Sequence, residues 1–339
     1  MDLKIGNKIC SDENPLYIAE EGQANQGDVD LAFKMINLAS DAGADGIEFQ
    51  LFWAEDMYAR NHEGYQIYKQ NELSEDIILK LIQVTKDKNL LFQAACLSPR
   101  MTSFCASAGV DSFVINATDL NNPEMLDAVC KTGKPFWLAT LMGTEEEVDW
   151  AVRYLKMEGA ENFGILHGQH VMSSNEYQGV PPEMSQMDCI SQFKAKYGKL
   201  VGYVDHTPTI QMPGIAVAKG ACIVMKHLAP ETNWLGPDCV VALPPESWKK
   251  SRDFFDYSVK CNGSSKELSQ AELGDRSLHR RGLYSKRRLD IGHKLNKEDL
   301  TALRPGKGAI NPREIPNILG KVVKQTIREN QMISLMDLT

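Results

Sequence analysis

Two stretches of the sequence decide the fold, and each contains an apolar run followed by a histidine. The first is LVGYVDHTP (residues 200–208) and the second is ACIVMKHL (residues 221–228). Each run is typical of a buried parallel strand. Residues 210–220 between them have helical spacing and close on a lysine and a glycine, which favour the end of a helix. The pattern predicts a βαβ unit in which His206 and His227 stand just past the carboxyl ends of two successive strands, where α/β folds bind ligands and metals.

The same alternation of strand and helix runs through most of the chain. Six further apolar runs predict strands at residues 16–20, 46–52, 90–95, 112–117, 136–140 and 163–166. Helical stretches separate these runs, and residues 245–259 supply the eighth helix. Eight repeats within about 260 residues favour a (β/α)8 TIM barrel over residues 1–262. An open doubly wound sheet is the alternative, but no GxGxxG motif follows the first strand.

The end of the chain has a different composition. Residues 263–275 are polar and contain Gly and Ser, which predicts a linker. Residues 276–339 begin with a basic run and are broken by glycines, which predicts a small second domain of short strands and turns.

Composition excludes several classes of protein. The 339 residues are 43% hydrophobic and 24% charged, which is ordinary for a globular protein, and the net charge is −8. An acidic chain is a poor general binder of nucleic acid or of an anionic membrane. We found neither an apolar stretch of about 20 residues nor the apolar core of a signal peptide, so we expect a cytoplasmic protein. The eight cysteines form no CxxC pair and predict free thiols.

The order of short motifs along nearly the whole chain resembles the sialic acid synthase family. The matching motifs are Ile18-Ala19-Glu20, Ala42-Gly43-Ala44, Phe49-Gln50, Gly133-Lys134-Pro135, Leu166-His167, Asp205-His206-Thr207, Lys226-His227, Gly236-Pro237-Asp238 and Arg304-Pro305-Gly306-Lys307-Gly308. Members of this family are barrel enzymes with a C-terminal antifreeze-like (SAF) domain. The resemblance implies a metal-dependent condensation of phosphoenolpyruvate with an N-acetylated amino sugar, in a domain-swapped homodimer.

The resemblance also implies a divalent metal at His206 and His227. Two imidazoles suit Mn, Fe, Co or Zn better than Mg or Ca, which prefer oxygen ligands. Judged from the residues alone, both rings could instead be satisfied by backbone carbonyls at the strand ends. The family further implies that Arg304 reaches from the partner subunit to the acyl group of the sugar.

Three other family positions point to the sugar acceptor: Glu20 and Asp238 match residues that contact it, and Gln50 matches a residue of the same pocket. Glu20 and Glu48 lie on neighbouring predicted strands, and both are candidate catalytic residues. A carboxylate at either position could act as a general base or bind an amino or cationic group.

The family's residues for phosphoenolpyruvate are missing. Lysines, serines and a threonine of the family are replaced by Glu48, Ala95, Val114, Ala117 and Ala139, and a glutamate that precedes the second metal histidine is replaced by Met225. Because Glu48 replaces the family's lysine, the sign of the local charge is reversed, and we expect phosphate binding to be weak. If phosphate is bound nevertheless, Arg100 or Lys226 would have to supply the positive charge.

Two further groups are candidates for substrate binding. His167 and His170 follow the sixth predicted strand; the family keeps the first, and the second is a hydrogen-bonding residue or an extra metal ligand. Tyr177 and Asn175 lie in the loop at residues 173–180 and either hydrogen-bond a sugar or belong to a plain surface loop.

Three functions remain after these observations. The leading hypothesis is metal-dependent, aldolase-type carbon–carbon bond chemistry on a sugar-like carbonyl substrate with an altered donor. The alternatives are an ordinary phosphoenolpyruvate-dependent synthase and a non-catalytic sugar-binding or scaffold protein on the same fold.

Overall fold

The structure is a computed structural model that describes residues 1–174 and 176–339. It divides into two compact units, Met1–Gly263 and Ser264–Thr339. None of the helices in the described ranges is long and apolar enough to cross a membrane.

The first unit is a closed barrel of eight parallel strands preceded by a short antiparallel hairpin, which confirms the predicted (β/α)8 fold. The hairpin strands are β1 (Leu3–Ile5) and β2 (Lys8–Cys10). The barrel strands are β3 (Leu16–Gly22), β4 (Gly46–Leu51), β5 (Leu91–Cys96), β6 (Ser112–Ile115), β7 (Phe136–Ala139), β8 (Phe163–Gly168), β9 (Val201–Asp205) and β10 (Ile223–His227). They are adjacent in chain order, and β10 closes the barrel on β3.

Helices connect these strands and cover the outside of the barrel. They are α1 (Val29–Asp41), α2 (Ala54–Met57), α3 (Glu63–Asn71), α4 (Glu75–Asp87), α5 (Pro99–Ala108), α6 (Pro123–Lys131), α7 (Glu145–Met157), α8 (Cys189–Tyr197), α9 (Met212–Ala218) and α10 (Pro245–Cys261). Polar side chains begin several of them by accepting a backbone N–H, as Ser74 does for α4 and Thr144 for α7. The long segment after β4 contains α2 and α3.

The strands read as continuous apolar runs because both of their faces are buried. Side chains on one face of each strand fill the inside of the barrel, where Ile18, Trp137 and Leu166 belong to one apolar cluster. Side chains on the other face pack under the helices, as Tyr17 does against Trp248. The carboxyl ends of the strands are therefore the place where polar side chains can line a cavity inside the barrel.

The second unit has a small apolar core of its own. Its elements are α11 (Gln270–His279), β11 (Gly282–Ser285), β12 (Leu300–Leu303) and α12 (Ile315–Ile318). Buried Leu283, Val323 and Ile327 belong to that core. Of residues 263–275, predicted as a linker, those from Gln270 onward are helical.

Candidate active site at the carboxyl end of the barrel

A cavity of about 520 Å³ lies at the carboxyl end of the barrel. Glu20 and Glu48 reach it from β3 and β4, and His227 is the last residue of β10. His206 follows β9, and Asp238 enters from the loop before α10. Five of the residues predicted for catalysis, metal and substrate are thus brought together in one cavity, and Gln50 and His170 line it as well.

The two predicted metal-binding histidines face each other. The ring centroids of His206 and His227 are 5.1 Å apart, and His170 lies 4.9 Å from His206. Gly22, with φ +62°, lies beside His227; a Cβ there would be 3.4 Å from the imidazole. Burial lowers the pKa of His227 to about 3 and holds that of His206 well below its ordinary value, aided by the charge of neighbouring groups. Both imidazoles are therefore neutral, which is the form that binds metals.

Each ring of this histidine pair has one nitrogen that is available to bind a metal. His206 Nδ1 and His227 Nε2 are buried and have no hydrogen-bond partner in the described structure, although Glu20 Oε1 is 3.4 Å from the latter. Among the described residues, no group of three or more His, Cys, Asp and Glu side chains is arranged to hold an ion. Further ligands would come from water, from substrate oxygens or from His170, and metal binding stays a prediction.

The part of the cavity next to His227 is acidic. Glu20 and Glu48 are partners across β3 and β4, and each is more than nine-tenths buried. Burial, together with Asp238, raises the pKa of Glu20 to about 8. Burial and the neighbouring carboxyls Glu20, Glu21 and Asp238 raise the pKa of Glu48 well above its ordinary range. Protonated side chains at these positions can give up or take back a proton at the cavity wall.

Glu21 is a third buried carboxyl, which the sequence did not single out. Its Oε1 accepts hydrogen bonds from Asn25 N at 2.6 Å and from Asn25 Nδ2 at 3.0 Å. Burial raises its pKa from 4.5 to about 8 despite those bonds. Above about pH 4.5 the unfolded chain releases this proton while the folded chain keeps it, so the free energy of unfolding falls as the pH rises toward 8.

We expect Glu21→Gln to remove this part of the pH dependence. The buried histidines titrate alike in wild type and variant, so from about pH 6.5 to about pH 8 the slope should be flatter in the variant by up to about 1.4 kcal/mol per pH unit. Urea unfolding at both pH values measures it. The exposed Glu146→Gln is the matched control and should keep the wild-type slope. Parallel slopes for wild type and Glu21→Gln would contradict the prediction.

The cavity is also lined by three residues that we did not predict from the sequence, Gln23, Tyr58 and Tyr68. Tyr58 and Tyr68, from the long segment after β4, line it with ring centroids 5.0 Å apart. Gln23 Nε2 donates to Gln50 Oε1 at 3.0 Å. The available signal was the length of that segment, because long βα loops of barrels commonly carry function.

The positions at which the sequence departs from the sialic acid synthase pattern also meet here. All six line the same cavity: Glu48, Ala95, Val114, Ala117, Ala139 and Met225. Among the described residues that line the cavity there is no lysine or arginine. The wall formed by β5 to β7 is therefore apolar, and the rest of the cavity holds carboxyls, imidazoles, amides and phenols.

The suggestion that Arg100 or Lys226 supplies the positive charge for phosphate is wrong, because neither side chain lines the cavity. Arg100 is exposed and is bound to Glu55 Oε1 at 2.6 Å and Asp56 Oδ2 at 3.2 Å. Lys226 is fully buried, and its Nζ lies 3.0 Å from Asp205 Oδ2. Because side chains alternate along a strand, Lys226 points away from the cavity that its neighbours Met225 and His227 line.

Two predicted substrate-binding residues of the barrel, His167 and Tyr177, lie outside this cavity. His167 follows the inward-facing Leu166, so its ring points outward, and its Nε2 is 3.1 Å from Ser185 O; the substrate-binding role predicted for it is not supported. The Tyr177 hydroxyl donates to Glu176 Oε1 at 2.8 Å and does not line the cavity, and its neighbour Asn175 is outside the described residues. Arg304 is exposed in the second unit, and its role across a domain-swapped homodimer stays a prediction.

Comparison with known proteins decides the family. A model of the NeuB family matches residues 35–265, and a model of the SAF domain matches residues 280–339. This chain belongs to the NeuB family. That membership agrees with the resemblance drawn from the short motifs, since the NeuB relatives include sialic acid and legionaminic acid synthases.

Similarity to individual relatives extends over nearly the whole chain. An uncharacterized protein of Methanocaldococcus jannaschii is 30% identical over 338 residues, which are 99% of this chain and 98% of the relative. The N,N'-diacetyllegionaminic acid synthase of Legionella pneumophila is 30% identical over 325 residues, 89% of this chain and 88% of that enzyme. The crystal structure of an N-acetylneuraminic acid synthetase from Leptospira borgpetersenii has a TM-score of 0.74 and 27% identity, over 81% of this NeuB-family chain and 95% of that one.

Proposed function

We propose that this chain catalyses metal-assisted, aldol-type formation or cleavage of a carbon–carbon bond on a sugar-like carbonyl substrate, with a co-substrate that carries no phosphate. The place of the reaction is nonulosonate or surface-polysaccharide metabolism, the setting of the related synthases. The acceptor side and the imidazole pair resemble those of the family, while the donor side does not.

The observation that carries this proposal is the charge of the cavity wall. Three carboxyls, those of Glu20, Glu48 and Asp238, line it, and the described lining contains no lysine or arginine. Two like charges about 4 Å apart repel by about 4 kcal/mol at an effective dielectric of ~20. A trianionic donor such as phosphoenolpyruvate would find none of the bidentate or cationic contacts that phosphate binding uses, and it would meet that repulsion from each carboxyl that is ionised.

Each residue of the cavity has its own role in the proposed reaction. His206 and His227 would hold a divalent metal, which would act as a Lewis acid on a carbonyl oxygen. In the condensing direction, ionised Glu48 takes a proton from the carbon of the co-substrate, and that carbon forms the new bond to the carbonyl carbon. The carbonyl oxygen receives a proton from Glu20, and Asp238 holds an acceptor hydroxyl. Cleavage reverses each transfer.

The rival function is the ordinary phosphoenolpyruvate-dependent synthesis. It is favoured by the similarity to N,N'-diacetyllegionaminic acid synthases over most of the chain. It requires phosphate-binding cations from outside the described cavity lining, such as the predicted arginine of a partner subunit.

Phosphate release separates the two functions. We expect the full-length protein, supplied with Mn²⁺, phosphoenolpyruvate and N-acetylated amino sugars, to release phosphate no faster than a protein-free control. With pyruvate-class donors, mass spectrometry should detect a product that contains both carbon skeletons. Phosphate release in proportion to protein concentration would overturn the proposal and establish the rival. Glu48→Lys, which restores the family's lysine, is the informative variant, because it should bind phosphoenolpyruvate better than wild type does.

A further inference from the structure

The cavity wall at Glu48, on the donor side, and at its neighbour Glu20, on the acceptor side, contains carboxyl oxygens that nothing in the described structure satisfies. Glu48 is 1% exposed and Glu20 is 6% exposed, yet Oε2 of each lacks a hydrogen-bond partner. Both side chains line the cavity and come from adjacent strands. Buried carboxyls without partners are costly, so this pair favours a ligand that brings donors and positive charge.

The surroundings of Glu48 narrow the chemistry of that ligand. The nearest buried cation of the neighbouring strands, Lys226, is paired with Asp205 on the other face of β10. Tyr58 and Tyr68 present aromatic rings to the cavity, and such rings attract cations. The apolar side chains Ala95 and Val114, which line the same cavity, suit a short carbon skeleton rather than a phosphate.

We propose that the donor side binds a ligand with an unacylated, protonated amino group, and that Glu48 is its counter-ion. The ammonium group lies against the Glu48 and Glu20 carboxyls, and the carbon skeleton lies along the apolar wall. An amino sugar or amino-substituted carbonyl compound with a free amine belongs to this class, whereas its N-acetyl derivative does not. The inference rests on the proposed function only in that both use the same cavity.

The test compares a matched pair of probes, glucosamine and N-acetylglucosamine, at neutral pH. Ligand-observed NMR titration of the full-length protein gives both dissociation constants. We expect glucosamine to bind at least tenfold more tightly than its N-acetyl form. Glu48→Gln should weaken glucosamine binding at least tenfold, about 1.4 kcal/mol, and leave the N-acetyl form unchanged. Glu146→Gln removes an exposed carboxylate elsewhere and should change neither constant.

Several results would overturn the inference. They are failure of glucosamine to bind the wild-type protein, equal affinity for the two probes, and an unchanged constant in Glu48→Gln. Loss of bound Mn²⁺ in Glu48→Gln would assign the carboxyl to the metal instead. Urea unfolding establishes that the variant is folded, and Glu48→Lys provides a second variant, which should reject the amine.

The two proposals fail independently. Binding of the amine through Glu48 without any carbon–carbon product would leave this inference standing and remove the proposed function. Formation of a product with no preference for the free amine would do the reverse.

Discussion

Lys226→Met should lower the free energy of unfolding by about 3–5 kcal/mol at neutral pH. The side chains of Lys226 and Asp205 are fully buried, with Nζ 3.0 Å from Oδ2. Removal of the ammonium group leaves the Asp205 carboxylate buried without its counter-ion. Lys226 Nζ also donates to Thr207 O, so the substitution releases the loop that follows His206. Urea unfolding followed by circular dichroism measures the change.

Two variants test the origin of this loss. Lys131→Met removes a lysine that is 78% exposed and 3.8 Å from Asp127, and it should cost less than about 1 kcal/mol. Lys226→Met combined with Asp205→Asn should recover part of the loss, because the double variant no longer buries an unpaired charge. A single-variant loss as small as that of Lys131→Met would show that the buried pair contributes little.

The barrel was predictable because each strand is an apolar run with turn signals on both sides. Both faces of such strands are buried, so most of the runs show no alternation of apolar and polar residues; β4, with Glu48 and Gln50, is an exception. The predicted boundaries miss by one or two residues at several ends. His227, for example, was placed just after its strand and is instead its last residue.

The same burial on both faces explains why part of the site was not predictable. The alternation in β4 marks Glu48 and Gln50 as one face of that strand, but the apolar runs before His167 and His227 contain no such mark of which side chains point inward. His227 and His167 both lie near strand ends, yet the first lines the cavity and the second points outward to Ser185 O. Only the strand register of the closed barrel shows which of these two histidines points inward.

The sequence also did not reveal which carboxylates pair with the cations. Arg100 finds its carboxylates more than forty residues earlier in the chain, at Glu55 and Asp56. Tyr58 and Tyr68 lie in a segment with no regular apolar period, and folding alone brings their rings to the cavity. By contrast, the carboxyls of Glu20 and Glu48 were predictable neighbours, because consecutive strands pair in a parallel barrel.

His206→Ala and His227→Ala should each reduce metal affinity and carbon–carbon bond chemistry by at least about 100-fold. The two orphaned nitrogens, His206 Nδ1 and His227 Nε2, are the protein ligands in the proposed site. Even residues that only orient metal ligands change affinity by about 10- to 100-fold, so loss of a ligand is expected to cost more. Elemental analysis after dialysis against Mn²⁺ or Zn²⁺ measures the metal, and product formation measures the chemistry.

Two other histidines make this prediction specific. His167 is buried but points away from the cavity, so His167→Ala should keep the metal in whatever fraction remains folded. His170 lines the cavity 4.9 Å from His206, and His170→Ala distinguishes two arrangements. Retention of metal there fits a site with two protein ligands, and loss would assign His170 as the third. Wild-type metal content in both His206→Ala and His227→Ala would remove the metal from the proposed mechanism, because no described group of three or more His, Cys, Asp and Glu side chains is arranged to hold it in their place.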